Sequence, residues 1–164
     1  MNYDKIQEKL TAKFGEQVSY EILYDMLNVT IPAEMNLKTM QFLYDDEEMR
    51  FRFLTDLTAN HFPENKGKEL QVIYQLHSLE NNIRLRLKVT VPIETPDVYT
   101  ATSLYPGANW MERETYDFFG VNFVGHPNLK RILNAEDMDY FPLRKEYTLE
   151  DPQRTDKDDE MFGR

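Results

Sequence analysis

Residues 70–91 read LQVIYQLHSLENNIRLRLKVTV, and the alternation of apolar and polar side chains in this stretch decides the fold. From Ile83 to Val91 every second residue is apolar, and residues 70–76 show the same alternation. Strict alternation is typical of a β-strand with one buried face, and the turn-forming residues 80–82 lie between the two runs. The stretch therefore predicts a β-hairpin with one apolar and one polar face.

The polar face of the second predicted strand is basic. It presents Arg84, Arg86 and Lys88 in a row. Such a row could bind an acidic partner, but three separated charges on a solvated strand face more often contribute only solubility. The hairpin by itself leaves both interpretations open.

The segments before the hairpin predict helices and further strands. Residues 3–14 place their apolar side chains on one face of a helix, and residues 36–44 predict a second helix with Asn36 as its N-cap. Short strands are predicted at 17–24, 27–31 and 51–57. We therefore predict an α+β fold with two layers, in which helices pack on the apolar face of a mainly antiparallel sheet.

Composition excludes several classes of function. The 164 residues include 29 Asp and Glu, 19 Lys and Arg, and no Cys, and the net charge is −10. Without cysteine the chain has no thiolate nucleophile, Cys-ligated zinc or iron–sulfur cluster of its own. The acidic excess argues against nucleic-acid binding. No run approaches the ~18 apolar residues of a membrane span, and the first residues do not resemble a signal peptide, so we expect a cytoplasmic protein.

The character of the sequence changes after Pro92. Prolines become frequent, and residues 108–119 form the one clear helical pattern. On a helical wheel its large apolar side chains point in almost every direction: Trp110, Met111, Tyr116, Phe118 and Phe119. This pattern predicts a helix that is buried on all sides, between its own domain and another body such as a second subunit.

The same helix contains charged residues that are costly to bury without partners. Arg113, Glu114 and Asp117 share an arc of about 100° on the wheel, so we expect them to pair with one another. Glu112 lies roughly 160° from Glu114 on this wheel.

The rest of the chain predicts an extended interface segment. Residues 126–147 are rich in Arg, aromatic and Leu side chains, which are enriched at protein interfaces. We therefore divide the chain into an α+β domain at 1–125, which includes the 108–119 helix, and an extended, largely irregular tail at 126–164. The tail has too little core of its own to become ordered in isolation. Its acidic end, Asp156–Glu160, is predicted to be either solvated or laid along a neighbour.

Three sequence blocks occur in order within this half of the chain. They read ERETYDFFGV at 112–121, HPNLKRIL at 126–133 and PLRKEY at 142–147. Together they resemble the C subunit of bacterial NADH:quinone oxidoreductase, which is the thirty-kilodalton subunit of respiratory complex I.

This resemblance implies a cofactor-free structural subunit in the peripheral arm of the complex. Its partners would be subunits D, B and I, of which D forms the quinone site and the other two carry clusters. FMN, the iron–sulfur clusters and quinone would all be bound by partner subunits. The complex would lie on the cytoplasmic side of the plasma membrane and couple electron transfer from NADH to quinone with proton translocation. No catalytic, cofactor-binding or metal-binding residue is expected in this chain.

We predict a set of partner-interface residues in the 108–119 helix and the following segment. They are Trp110, Glu112, Arg113, Glu114, Asp117, His126, Arg131, Arg144, Lys145 and Tyr147. Arginine pairs bidentately with carboxylates, so the three arginines in this set are expected to meet partner carboxylates; the alternative is that they are ordinary surface residues.

Other functions remain open from the sequence. An equivalent scaffold subunit of a related membrane-bound, hydrogenase-type complex would show similar blocks. A small hydrolase could use Glu112, Glu114, Asp117 and His126 as acid–base or metal-binding groups, although the wheel separates the first two. A free-standing binding module is the third alternative.

Overall fold

A computed structural model describes residues 2–147 of the 164. Its helices are α1 (Tyr3–Phe14), α2 (Asn36–Asp45) and α3 (Ala108–Phe119). Its strands are β1 (Ser19–Leu23), β2 (Met26–Pro32), β3 (Phe53–His61), β4 (Leu70–Ser78), β5 (Ile83–Val91), β6 (Asp97–Tyr99) and β7 (Asn122–Val124). The prediction for the acidic end, Asp156–Glu160, concerns residues outside this range.

The main sheet has five strands in the order β1-β2-β5-β4-β3. The predicted hairpin is confirmed: β4 and β5 are antiparallel neighbours, with Leu76 opposite Leu85. β1–β2 and β3–β4 are also antiparallel, whereas β2 and β5 run parallel. The prediction of an α+β fold with a mainly antiparallel sheet is therefore confirmed, although the sheet is mixed.

The apolar face of the sheet packs against the helices. Leu85, Leu87 and Val89 of β5 are fully buried, and they share one core with Ile6 of α1 and Met40 of α2. Burying each side chain of this size contributes about 1.5–3 kcal/mol, which favours the two-layer arrangement. The basic residues of β5 lie on the opposite face.

Asn36 does not cap α2 as we predicted. Met35 is the N-cap, and Asn36 is the first helical residue. The buried amide of Asn36 instead donates a hydrogen bond to the carbonyl of Tyr99, at 2.7 Å. This long-range bond ties the start of α2 to the end of β6, a contact that local sequence signals do not reveal.

A parallel β6–α3–β7 unit fixes the position of α3. β6 precedes the helix, β7 follows it, and the two strands pair in parallel with Val98 opposite Phe123. Between β6 and α3, the hydroxyl of Tyr105 donates to the carbonyl of Phe51 at 2.7 Å. α3 also packs along β3, where the hydroxyl of Thr115 lies 3.4 Å from the carbonyl of Leu57. Both ends and one side of α3 are therefore held by the sheet domain.

Candidate docking site

Residues 126–147, here called the strap, run back over the C-terminal end of α3. Asp117 is the main anchor of this contact. Its fully buried carboxylate accepts hydrogen bonds from three successive backbone amides, those of Ile132, Leu133 and Asn134, at 2.8–3.1 Å. It also accepts one from the Asn134 side-chain amide, at 3.1 Å. One side chain on the helix therefore determines the backbone path of three strap residues.

The charge of Asp117 is balanced by Arg131, which lies 2.8 Å from the carboxylate. Burial by itself would raise the pKa of Asp117. The strap amides and the Arg131 guanidinium outweigh burial and hold this pKa well below its usual range. Asp117 is therefore ionised at any pH at which the protein is expected to work.

Arg131 and Arg113 both donate hydrogen bonds to backbone carbonyls of their own chain. Arg131 also donates to the backbone carbonyls of Asp117, Met138 and Tyr140, each at 2.8 Å. Arg113 donates to the carbonyls of Lys130 and Arg131, at 3.1 and 3.0 Å. The predicted pairing of Arg113 and Glu114 with Asp117 is wrong, because Asp117 faces the strap and pairs with a residue 14 positions away, while Glu114 is exposed.

The strap also caps α3. The last carbonyls of a helix have no partner within the helix, and at its C-terminal end the helix dipole favours nearby positive charge. Here the carbonyl of Phe118 accepts from the amide of Leu143 at 3.1 Å, and that of Phe119 accepts from Arg144 Nε at 2.7 Å. The two strap contacts thus satisfy helix carbonyls that would otherwise need water.

Gly120 permits this close contact. It ends α3 in the left-handed region, with φ of 76°, and its amide donates to the carbonyl of Tyr116. A Cβ atom at this position would lie 2.5 Å from Arg144 Nη2 and 2.6 Å from the Phe141 ring. The ring of Phe141 in turn lies near two guanidinium groups, those of Arg131 at 5.0 Å and Arg144 at 4.6 Å.

The end of the strap is attached to the main sheet. The amide of Lys145 donates to Nδ1 of His61, a buried residue at the end of β3, at 3.0 Å. The carboxylate of Glu146 lies 3.5 Å from the same nitrogen. The lack of order of the tail in isolation stays a prediction, but the strap does contact its own chain. It is held by polar contacts to α3 and β3 rather than by a core of its own. The division of domains at residue 125 stays a prediction.

Glu112 and His126 form a second buried cluster at the start of the strap. The carboxylate of Glu112 accepts from the amide of Ala101 at 2.6 Å and from the hydroxyl of Thr100 at 2.5 Å. Its nearest approach to His126 Nε2 is 4.0 Å, and both side chains are fully buried. Because burial disfavours the charged form, the pKa of Glu112 is raised to about 7.

The ring of His126 links α3 to the first turn of the strap. Its Nδ1 accepts from the amide of Asn128 at 3.0 Å, and its Nε2 lies 3.1 Å from the carbonyl of Asn109. Together these bonds are satisfied by the neutral tautomer with the proton on Nε2.

The four residues of the hydrolase alternative do not share a pocket. Glu112 faces residues 100–101, Asp117 faces the strap and Glu114 is exposed; only His126 lies near one of the three carboxylates. Across residues 2–147, His, Asp and Glu side chains form no group of three that could hold a metal ion.

Several large apolar side chains are exposed on the outer surface of α3 and the strap. Trp110 is 58% exposed, and the Arg113 guanidinium lies 5.3 Å from its ring. Further large apolar side chains are exposed along the strap: Ile132, Leu133, Tyr140, Leu143 and Tyr147. Exposed apolar side chains of this size on one segment are typical of protein-binding surfaces.

The predicted interface residues fall into two groups in the structure. Six lie between α3, the strap and the domain: Glu112, Arg113, Asp117, His126, Arg131 and Arg144. Four are exposed: Trp110, Glu114, Lys145 and Tyr147. The sequence interpretation missed Gly120 and Phe141 as a packed pair. A glycine at the helix end, followed by an aromatic residue before Pro142, was the available signal.

Comparisons with known proteins agree with this architecture. Residues 29–153 match the family model described as respiratory-chain NADH dehydrogenase, 30 Kd subunit. The C subunit of NADH-quinone oxidoreductase from Mycobacterium ulcerans is 37% identical over 150 residues, covering 89% of this chain and 63% of the relative. The corresponding protein of Mycobacteroides abscessus is 36% identical over 156 residues, covering 90% and 68%. The chain thus spans about two thirds of the length of these relatives.

Two solved structures share the fold. One is a trypsin-resistant fragment, 1–134, of Nqo5, with a TM-score of 0.68, 33% identity and coverage of 79% of this chain and all of that chain. The other is a chain of the archaeal membrane-bound sulfane sulfur reductase, with a TM-score of 0.75, 21% identity and coverage of 89% and 85%. At that identity the second likeness concerns the fold alone. In residues 2–147 of the present chain no helix is both long and apolar enough to cross a bilayer.

Proposed function

The chain belongs to the family of the 30-kDa subunit of respiratory-chain NADH dehydrogenase, and from this we propose that it is a scaffold subunit of a proton-translocating NADH:quinone oxidoreductase. In this proposal it lies in the peripheral arm, on the cytoplasmic side of the membrane. It binds no cofactor and catalyses no step. Electrons pass through FMN, iron–sulfur clusters and quinone in partner subunits.

The observation on which this proposal rests is the way the strap is held on α3. Asp117 and Arg131 hold the strap backbone from inside, so its apolar side chains point outward in a fixed arrangement. A surface ordered before binding loses less conformational entropy on association, which favours a stable subunit contact. We therefore propose that the strap and α3 bind the quinone-site subunit, close to the cluster-bearing subunits B and I.

Two roles follow for the residues of the site. Five of the six inward-facing residues position the strap, while Glu112 binds residues 100–101. The four exposed residues, Trp110, Glu114, Lys145 and Tyr147, contact the partner. Trp110 is the strongest candidate for a binding hot spot, since a large aromatic side chain is more than half exposed beside an ordered guanidinium.

Affinity purification of the full chain from native membranes tests this function. We expect subunits D, B and I to be recovered with it, together with NADH:quinone oxidoreductase activity and flavin. If the chain is recovered alone, the proposed function is wrong. A complex with all its subunits but without turnover after Asp117→Ala would instead indicate a catalytic role for this site.

A further inference from the structure

We propose that a groove between α3 and the strap, here called the strap groove, binds a lysine or arginine side chain of the partner subunit. This inference rests on the proposed function and names the chemistry of the contact. The groove has a volume of about 520 Å³. It is lined by Tyr116, Leu129, Lys130, Arg131, Glu136, Met138, Asp139 and Phe141.

The walls and charged groups of the strap groove suit a long basic side chain. Tyr116, Leu129 and Met138 provide apolar wall, against which the methylene stem of Lys or Arg can pack. Glu136 and Asp139 provide carboxylates for the charged head. The remaining acid of this turn, Asp137, is also exposed.

The two cations that line the strap groove do not cancel its preference for a basic side chain. Arg131 is neutralised by its 2.8 Å ion pair with Asp117, and its Nη2 donates to the backbone carbonyls of Met138 and Tyr140. Lys130 is the other cation that lines the groove, and it leaves the two carboxylates of Glu136 and Asp139 in excess. Within residues 2–147, Glu136 and Asp139 take part in no ion pair.

The charge of the surface around the strap groove also favours a basic partner. The arginines that we expected to meet partner carboxylates are turned inward, onto carbonyls of this chain. Four acids are exposed here, Glu114, Glu136, Asp137 and Asp139, against the two exposed lysines of the strap, Lys130 and Lys145. Electrostatic complementarity therefore favours a partner with a basic, apolar surface, and a second copy of this chain, with the same net charge of −10, would be repelled.

The test uses the full chain in its native membranes. The double variant Glu136→Lys with Asp139→Lys should lower the ratio of assembled to free chain at least roughly tenfold, because like charges then face each other across the contact. Glu136→Gln with Asp139→Asn should give a smaller loss. Glu8→Lys with Glu16→Lys, at exposed positions in and just after α1, changes the net charge equally and should assemble like the wild type.

The outcomes separate this inference from the proposed function. Thermal melting of the purified variants should match the wild type, so that any loss reports the contact and not the fold. Normal assembly of the groove variant would overturn the inference while the function stands, and an equal loss in the α1 control would overturn it as a general charge effect. A wild-type chain found as a homodimer that the groove variant dissociates would also overturn it. A wild-type chain found outside any such complex would contradict the proposed function itself.

Discussion

At the scale of single residues, Asp117 has more partners than any other side chain of the site. It is fully buried, forms an ion pair with Arg131 and accepts hydrogen bonds from three consecutive backbone amides of the strap. Removing one partner of a buried pair leaves the other charge without compensation. Substitution of Asp117 should therefore disturb the strap, whereas substitution of an exposed acid on the same helix should not.

Replacing Asp117 by Ala should lower the free energy of unfolding by about 3–5 kcal/mol, because Arg131 would remain buried without its counter-ion. Denaturant unfolding of the purified chain measures this difference. Glu114→Ala, on the exposed side of α3, is the matched control and should change stability by less than about 0.5 kcal/mol. Equal effects of the two substitutions would contradict the role given to Asp117.

Glu112 should make stability depend on pH in the opposite sense to an ion-paired acid. Its pKa is raised from 4.5 to about 7, so between these values the folded state binds more protons than the unfolded state. Stability must then fall as the pH rises from about 4.5 to about 7, by up to roughly 3 kcal/mol. The Glu112→Gln substitution retains the shape of the side chain but removes the group that can ionise.

The Glu112→Gln variant should therefore lack this decline when unfolding curves are measured from pH 5 to pH 8. The contribution of Asp117 has the other sign: its pKa is depressed, so its stabilisation is present above the ordinary Asp pKa and is lost only in strong acid. The two acids thus act in separate pH ranges. Identical pH profiles for wild type and Glu112→Gln would show that Glu112 does not bind a proton in this range.

At the scale of elements, Gly120 decides whether α3 and the strap can meet. Its positive φ and the short distances to Phe141 and Arg144 both exclude a side chain. Gly120→Ala should therefore displace the strap and increase the rate of tryptic cleavage after Arg144 and Lys145. Gly107, just before α3, has φ of −63° and no atom within 4 Å of a Cβ position. Gly107→Ala should leave the cleavage rate unchanged.

Cleavage at equal rates in both glycine variants would show that the strap does not depend on the Gly120 contact. Mass spectrometry of the early fragments identifies the sites of cleavage. The measurement reports local release of the strap, since global unfolding would also expose sites within the sheet.

The elements that the sequence predicted are those specified by local periodicity. The β4–β5 hairpin and α3 were confirmed because alternation and helical spacing act between near neighbours. The parallel pairing of β2 with β5 was not predicted, since residues far apart in the chain determine it. The pairing of Asp117 with Arg131 in the strap was not predicted for the same reason. A helical wheel places Asp117 beside Arg113, but it contains no information about residues outside the helix.

At the scale of the whole molecule, one face of the sheet is covered by helices and the other presents polar side chains. The row that includes Arg86 lies on this second face, between Asn28 and Gln75 on the neighbouring strands. Arg86 lies 3.4 Å from Asn28 Oδ1, so part of the basic row is used within the sheet. The surface that we propose for binding the partner lies instead on α3 and the strap. The two outer surfaces therefore differ in composition: the sheet face carries the basic row, whereas α3 and the strap expose Trp110 and five further large apolar side chains.

This division predicts that substitutions on the two surfaces affect assembly differently. Arg84→Ala, on the exposed strand face, should leave the fraction of chain in the assembled complex unchanged, because this face lies on the opposite side of the sheet from α3. Trp110→Ala should reduce that fraction at least roughly tenfold, because it removes the largest aromatic side chain that is exposed on α3 and the strap. Native gel electrophoresis of solubilised membranes measures both. A severe loss with Arg84→Ala and none with Trp110→Ala would place the subunit contact on the sheet face, where an acidic partner would then be expected.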